Sequence, residues 1–149
     1  MPQPFGDAEG RNETDTGMKE HHHHHVTATS FADPADVAAY KKCKAQGMSD
    51  SEAFKFGDNG IGCWGDDTTT DEPCCALPPE HMEARWGSVK AAKHKKVLVT
   101  INGVEVECVL KDRLPREVHK IDLNPGACAK FGLTPPVKIK AAWRWVDKP

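Results

Sequence analysis

Residues 108–132 read CVLKDRLPREVHKIDLNPGACAKFG, and they hold more ionisable chemistry than any other stretch of the chain. The alternation running into Lys111-Asp112-Arg113 predicts the end of a strand. A short polar loop follows, and Ile121-Asp122-Leu123 then turns into a small helix. Asn124 and Pro125 open that helix, Ala127, Cys128 and Phe131 face inward, and Gly132 stops it. Asp112 and Asp122 are thereby placed at the ends of neighbouring elements, with Arg113, Arg116, His119 and Lys120 between them.

Upstream, Val97–Ile101 and Val104–Leu110 flank Asn102-Gly103, the pattern of a two-residue hairpin. Val97, Val99 and Ile101 fall on one face, continued by Val104, Val106, Cys108 and Leu110, while Glu105 and Glu107 point out. This makes Cys108 a core position. Downstream, Val137, Ile139, Ala141, Trp143 and Trp145 alternate with Lys138, Lys140 and Arg144 and predict the last strand.

The first half is less regular. Val26–Phe31 reads as a strand. Asp33-Pro34 opens a helix closed by Gly47, with Val37, Tyr40 and Cys43 on one face. Ser49-Asp50-Ser51-Glu52 is a capping box for a second short helix. The two form a helical hairpin whose packing is assigned to alanines, Phe54 and Phe56. Residues 58–65, DNGIGCWG, lack the Lys-Ser/Thr of a phosphate loop and predict a tight turn around a buried Trp64. Residues 66–72 are acidic without calcium-loop spacing. Cys74–Pro79 predicts a buried segment ended by prolines, and Glu80–Trp86 a helical turn. The basic run at 90–96 has no interleaved aromatics, so it reads as a solvated loop and not as a nucleic-acid site.

Composition sets the class. With 149 residues, one domain with a real core is expected. No apolar run approaches a membrane span, and the first residues lack the basic-then-apolar order of a signal peptide. A virion, release by a non-Sec route or the cytoplasm are the places this implies. The net charge of −2 hides a split: residues 1–83 carry 16 acids and 6 bases, residues 84–149 carry 6 acids and 14 bases. Two halves of one fold that attract each other account for it most simply; docking on a second subunit or an acidic polymer is the alternative.

Residues 1–25 are too polar to form a core and read as a flexible acidic arm ending in His21–His25. That run has the chemistry of a metal ligand, but a polar linker or tag remnant is preferred and no metal or other cofactor is assigned. The six cysteines include no C-x-x-C pair, which excludes zinc ribbons and thioredoxin-like chemistry, and partial disulfide formation is expected.

The order of these segments resembles the double-psi β-barrel of the RlpA-like and expansin-like families. The residues that carry the resemblance are Gly62, Trp64 and Gly65, Ala76-Leu77-Pro78, Asp112-Arg113-Leu114-Pro115, Ile121-Asp122-Leu123 and Gly132-Leu133. The resemblance implies a mainly β, six-stranded double-psi barrel over 26–149, with a helical insertion at 33–57 after the first strand. Compact versions without a signal peptide look like bacteriophage proteins.

It further implies a groove that meets polysaccharide, peptidoglycan above all, with Asp122 aligned to the acid of related hydrolases and Asp112 in the same groove. Arg113, Arg116, His119, Lys120 and Trp64 are the expected binding residues. The sequence departs from the family at Leu114, where the family has glycine, at Cys74-Cys75-Ala76, where it carries a histidine, and in the short 115–121 loop. A non-catalytic module that binds cell wall or a neighbouring subunit, the latter as a homo-oligomer or protein complex through the arm, is therefore placed first. A lytic transglycosylase or hydrolase using Asp122 as acid is the alternative. A structural role for Asp122 competes with both: nearby cations and the following helix start would lower its pKa, and it would cap the helix or pair with Arg113.

Overall fold

The computed structural model describes residues 23–148. The expected flexible arm, residues 1–25, falls outside that range except for His23–His25. Six strands close into a mixed barrel in the order β1-β5-β2-β4-β3-β6. They are β1 (His24–Ser30), β2 (Cys74–Leu77), β3 (Lys96–Ile101), β4 (Val104–Arg113), β5 (Lys120–Leu123) and β6 (Lys138–Trp145). Two pairs are parallel, β1 with β5 and β2 with β4; the other four are antiparallel.

Local chemistry sets the best-defined part. Asn102 and Gly103 adopt φ values of 51° and 80°, the two positive φ angles that a hairpin turn matching strand twist requires. Val97, Val99, Cys108, Leu110, Ile121, Leu123 and Trp143 then fill the interior and are completely buried. Trp143 is the largest of them, and truncating it would cost about 3–5 kcal/mol. Val104, expected inward, is exposed, because it begins β4 just after the turn, at the end of the barrel.

Four helices decorate the barrel: α1 (Pro34–Ala45), α2 (Asp50–Ala53), α3 (Pro79–Trp86) and α4 (Pro125–Lys130). The capping box at Ser49 and Glu52 is present in both directions. Asp33 occupies the N-cap position of α1, but its carboxylate accepts a hydrogen bond from the Ser30 hydroxyl and not from the helix. Phe54 and Phe56 are about half exposed, which corrects their assignment as hairpin core: Val37, Cys43 and Ala53 are the buried residues. Tyr40 packs on Phe54 at the surface, with ring centroids 4.9 Å apart.

Two further expectations are corrected. All six cysteines are free thiols. Cys74, Cys75, Cys108 and Cys128 are inward or interlayer positions, and burial pushes the Cys108 thiol up to about 12. Five of the six are thus used as small apolar buried residues, and Cys63 is exposed. Strand β1 also begins at His24, two residues before the β-branched pattern starts, because His24 and His25 pair with Trp143 and Ala142 of β6. The His24 ring stacks on Trp143 and meets His81 of α3 edge-on, closing that part of the barrel with aromatic surface. Burial lowers the pKa of His81. No helix among the described residues is long and apolar enough to cross a membrane.

Candidate functional site

Strand register builds the site. Ala76 of β2 lies opposite Asp112 of β4 on one side and opposite Asp122 of β5 on the other. Asp122 in turn faces Thr29 of β1, and Thr29 faces Lys138 of β6. One row, Lys138–Thr29–Asp122–Ala76–Asp112, therefore crosses five strands on the outer face of the barrel. The carboxylates are not on adjacent strands, as expected from the sequence. One strand separates them, so their backbones are about 9–10 Å apart.

That four-residue strand is buried along its whole length. Its inward residues face the main core. Ala76 packs outward with Phe31, Ala32 and Leu114 as a small second core. The loop 57–65 comes down on the same face, and glycine permits it: a Cβ on Gly62 would lie 2.0 Å from the Lys111 carbonyl oxygen. This approach delivers the Cys63 amide to Asp112 Oδ1 at 2.9 Å, where the Arg113 amide also donates. Asp58, at the start of the loop, accepts from the amides of Ala32 and Gly60.

Asp122 is anchored through Oδ1 as well, by the Thr29 hydroxyl, with Lys120 Nζ 3.9 Å away. Each carboxylate is thus fixed by one oxygen, while Oδ2 of each has no hydrogen-bond partner among the described residues. Burial raises the pKa of both, and the neighbouring Asp58 carboxylate adds to the effect. For Asp122 this reverses the sequence expectation: the Thr29 hydroxyl and Lys120 pull the pKa down, but desolvation outweighs them. The proposed ion pair with Arg113 does not form, and Asn124, not Asp122, caps the helix.

The other expected residues divide. Arg113 and Arg116 line a cavity of about 480 Å³ with Pro79, Leu114 and Pro115. Arg116 is held by Glu83 of α3 through two nitrogen–oxygen contacts of 2.8 and 2.9 Å. His119 lines a second cavity with His25, Thr27 and Lys140. Trp64 is only partly buried; it packs on the core and edge-on to His94, and none of its described contacts is with the carboxylates. His21 and His22 lie outside the described residues, and among the described residues no group of three potential ligands is placed to hold a metal.

Sequence reading missed Asn124 as a junction. It is fully buried. Its Oδ1 accepts from the amides of Ala127 and Cys74, and its Nδ2 donates to the carbonyls of Thr68, Thr70 and Glu72. One side chain ties α4, β2 and the 68–72 loop together beneath the carboxylate row. The helix-cap pattern was visible; the three carbonyls come from 52 to 56 residues away and leave no local signal.

Solved structures share this overall fold. The fold is a double-psi β-barrel. A Streptomyces papain inhibitor superposes with a TM-score of 0.52 at 19% identity, covering 85% of this chain and 96% of the inhibitor. A Clavibacter michiganensis expansin, an aspartate-to-asparagine variant in complex with cellohexaose, gives 0.53 at 16% identity. That match covers 86% of this chain but 52% of the expansin, so the chain spans about half of that protein. At these identities the likeness is one of fold. No protein-family model and no curated protein matches the chain.

Proposed function

We propose that this barrel is a polysaccharide-binding module that meets a bacterial-wall glycan at the Asp122 and Asp112 carboxylates on its outer face. The observation that carries the reading is the pair of half-buried carboxylates, each anchored by Oδ1 and each with Oδ2 left to accept. Sugar hydroxyls are donors in search of such oxygens, and a carboxylate fixed before the ligand arrives loses no side-chain entropy on binding. The expansin neighbour, solved with cellohexaose, supports a carbohydrate ligand. The papain inhibitor supports the other form of the module, in which a protein or neighbouring subunit, in a virion or elsewhere, takes the surface.

The raised pKa of Asp122 favours a second reading, glycan cleavage. An acid that stays protonated to higher pH can give its proton to a glycosidic oxygen, with Asp112 across the strand to assist.

One experiment addresses both. Purified peptidoglycan is incubated with wild type, Asp112→Ala and Asp122→Ala, and bound protein and released soluble fragments are both measured. Retention of wild type that falls at least tenfold in the variants supports the module. Fragment release abolished by Asp122→Ala adds catalysis, whereas release that survives this change removes Asp122 from the mechanism. A folded wild type that neither binds nor releases fragments ends the glycan reading.

A further inference from the structure

Beside the carboxylate row lies a second row of opposite character. Two residues back along β5, Lys120 faces Thr27 of β1, and Thr27 faces Lys140 of β6. Two residues along a strand is about 7 Å, so the rows Lys138–Thr29–Asp122 and Lys140–Thr27–Lys120 run side by side on one face. A cavity of about 440 Å³ opens there, lined by His25, Val26, Thr27, His119, Lys140 and Ala141. Lys140, His25 and His119 thus bring one lysine and two histidines to a concave site, with Lys138 and Lys120 on the flanking rows and Asp122 Oδ1 3.9 Å from Lys120 Nζ. Among the described residues, no ion pair or hydrogen bond engages the side chains of His25, His119, Lys138 or Lys140.

Lys120 has Asp122 as a counter-charge, but Lys138 and Lys140 have no acid partner among the described residues, and a concave wall of low dielectric strengthens their field toward an incoming ion. An exposed lysine row on a flat sheet would be ordinary solvation. Lys140 at a cavity wall, with the Thr27 hydroxyl and the rings of His25 and His119 as additional donors and Lys120 beside Thr27 on the next strand, has the make-up of an anion seat. Its place matters as much as its charge. A neutral glycan would need only the carboxylate row; an acidic polymer would be repelled by Asp112 and Asp122 unless its charges were received nearby.

We propose that the ligand of the carboxylate row is an acidic glycan, and that an anionic substituent on it, carboxylate or phosphate, seats among Lys140, His25, His119, Thr27 and Lys120. The inference rests on the glycan reading above and narrows its substrate class. Neutral glucans are then poor ligands, and binding weakens as salt rises.

The test uses the full chain and three preparations of the same wall: untreated, freed of phosphate polymers with hydrofluoric acid, and with carboxyls amidated by ethanolamine. Wild type is expected to lose at least tenfold in affinity on one of the two treatments, which also identifies the anion. Lys140→Glu, at an exposed position, is expected to bind untreated wall at least tenfold more weakly than wild type and to be indifferent to that treatment. Asp112→Ala is expected to weaken binding to every preparation. Wild-type binding that is equal on all three walls overturns the anion seat and leaves the glycan reading standing. Binding of duplex DNA as tight as binding of wall overturns it too, since the patch would then be a general polyanion surface. Failure of a folded wild type to bind any preparation removes the glycan reading and this inference together.

Discussion

Asp122 and Asn124 stand two residues apart, at the end of β5 and just beyond it, and their environments are opposite. Asn124 has no exposure and spends its whole hydrogen-bonding capacity on five backbone groups from three segments. Asp122 is largely desolvated, yet it has one hydroxyl donor and one distant ammonium, and its second oxygen is free among the described residues. A buried polar group whose every valence is used holds a fold together. One that is desolvated and left partly unused costs the fold free energy and is available to a ligand.

The contrast is broken or sharpened by four substitutions. Asn124→Ala should have the largest effect, a loss on the order of 3 kcal/mol or more in urea unfolding, because it leaves several buried amides and carbonyls unpaired at once. A loss below ~1 kcal/mol would mean that water or neighbours replace the junction. Gly62→Ala follows, at about 1–3 kcal/mol by thermal melting, since its new Cβ meets the Lys111 carbonyl and must lift the loop. The same change should weaken wall binding, because the Cys63 amide leaves Asp112.

Asp122→Asn should leave stability at neutral pH within ~1 kcal/mol of wild type while weakening wall binding at least tenfold. Its pH signature has a definite sign. A carboxyl whose folded pKa is raised above the ordinary value of 3.8 binds its proton more tightly in the folded state. Stability from this group is therefore full below the unfolded pKa and is lost as pH rises through the folded one. Melting temperature measured from pH 3 to 6 should fall less steeply with rising pH in Asp122→Asn than in wild type; identical slopes would mean that the carboxylate is well solvated. Phe54→Ala should be the mildest change, within about 0.5 kcal/mol by urea unfolding, since the ring is half exposed. A larger loss would restore it to the packing role that the sequence assigned.

What could be read from the sequence was whatever is local. The Asn102-Gly103 turn, the Ser49 capping box and the Asn124 cap each depend on a few adjacent residues, and each is in place. The alternation of β6 was equally clear because one of its faces is core. Strand β2 was not legible in the same way. Cys74–Leu77 is buried on both faces, so it has no alternation, and its register, which lines up Asp112 with Asp122, depends on partners more than 30 residues away. The pKa direction of Asp122 failed for a related reason: neighbouring charges can be counted along a chain, but desolvation is created only when the loop and strands close over the group. Phe54 and Phe56 misled because a helical pattern tells which face is apolar and not whether anything covers it.

The pairing of β1 with both β5 and β6 bears on how the chain reaches this state. β1 is the first strand of the barrel and β6 the last, and their register joins His24 to Trp143 and Thr29 to Lys138. Closure thus waits for contacts spanning more than 100 residues, while the β3–β4 hairpin forms from immediate neighbours. Such long-range closure is a slow event, and it leaves β1 and β6 with open edges until it happens. During that interval the chain is most exposed to pairing with another copy of itself, and the hairpin, not the histidine-bearing strand, is the natural nucleus.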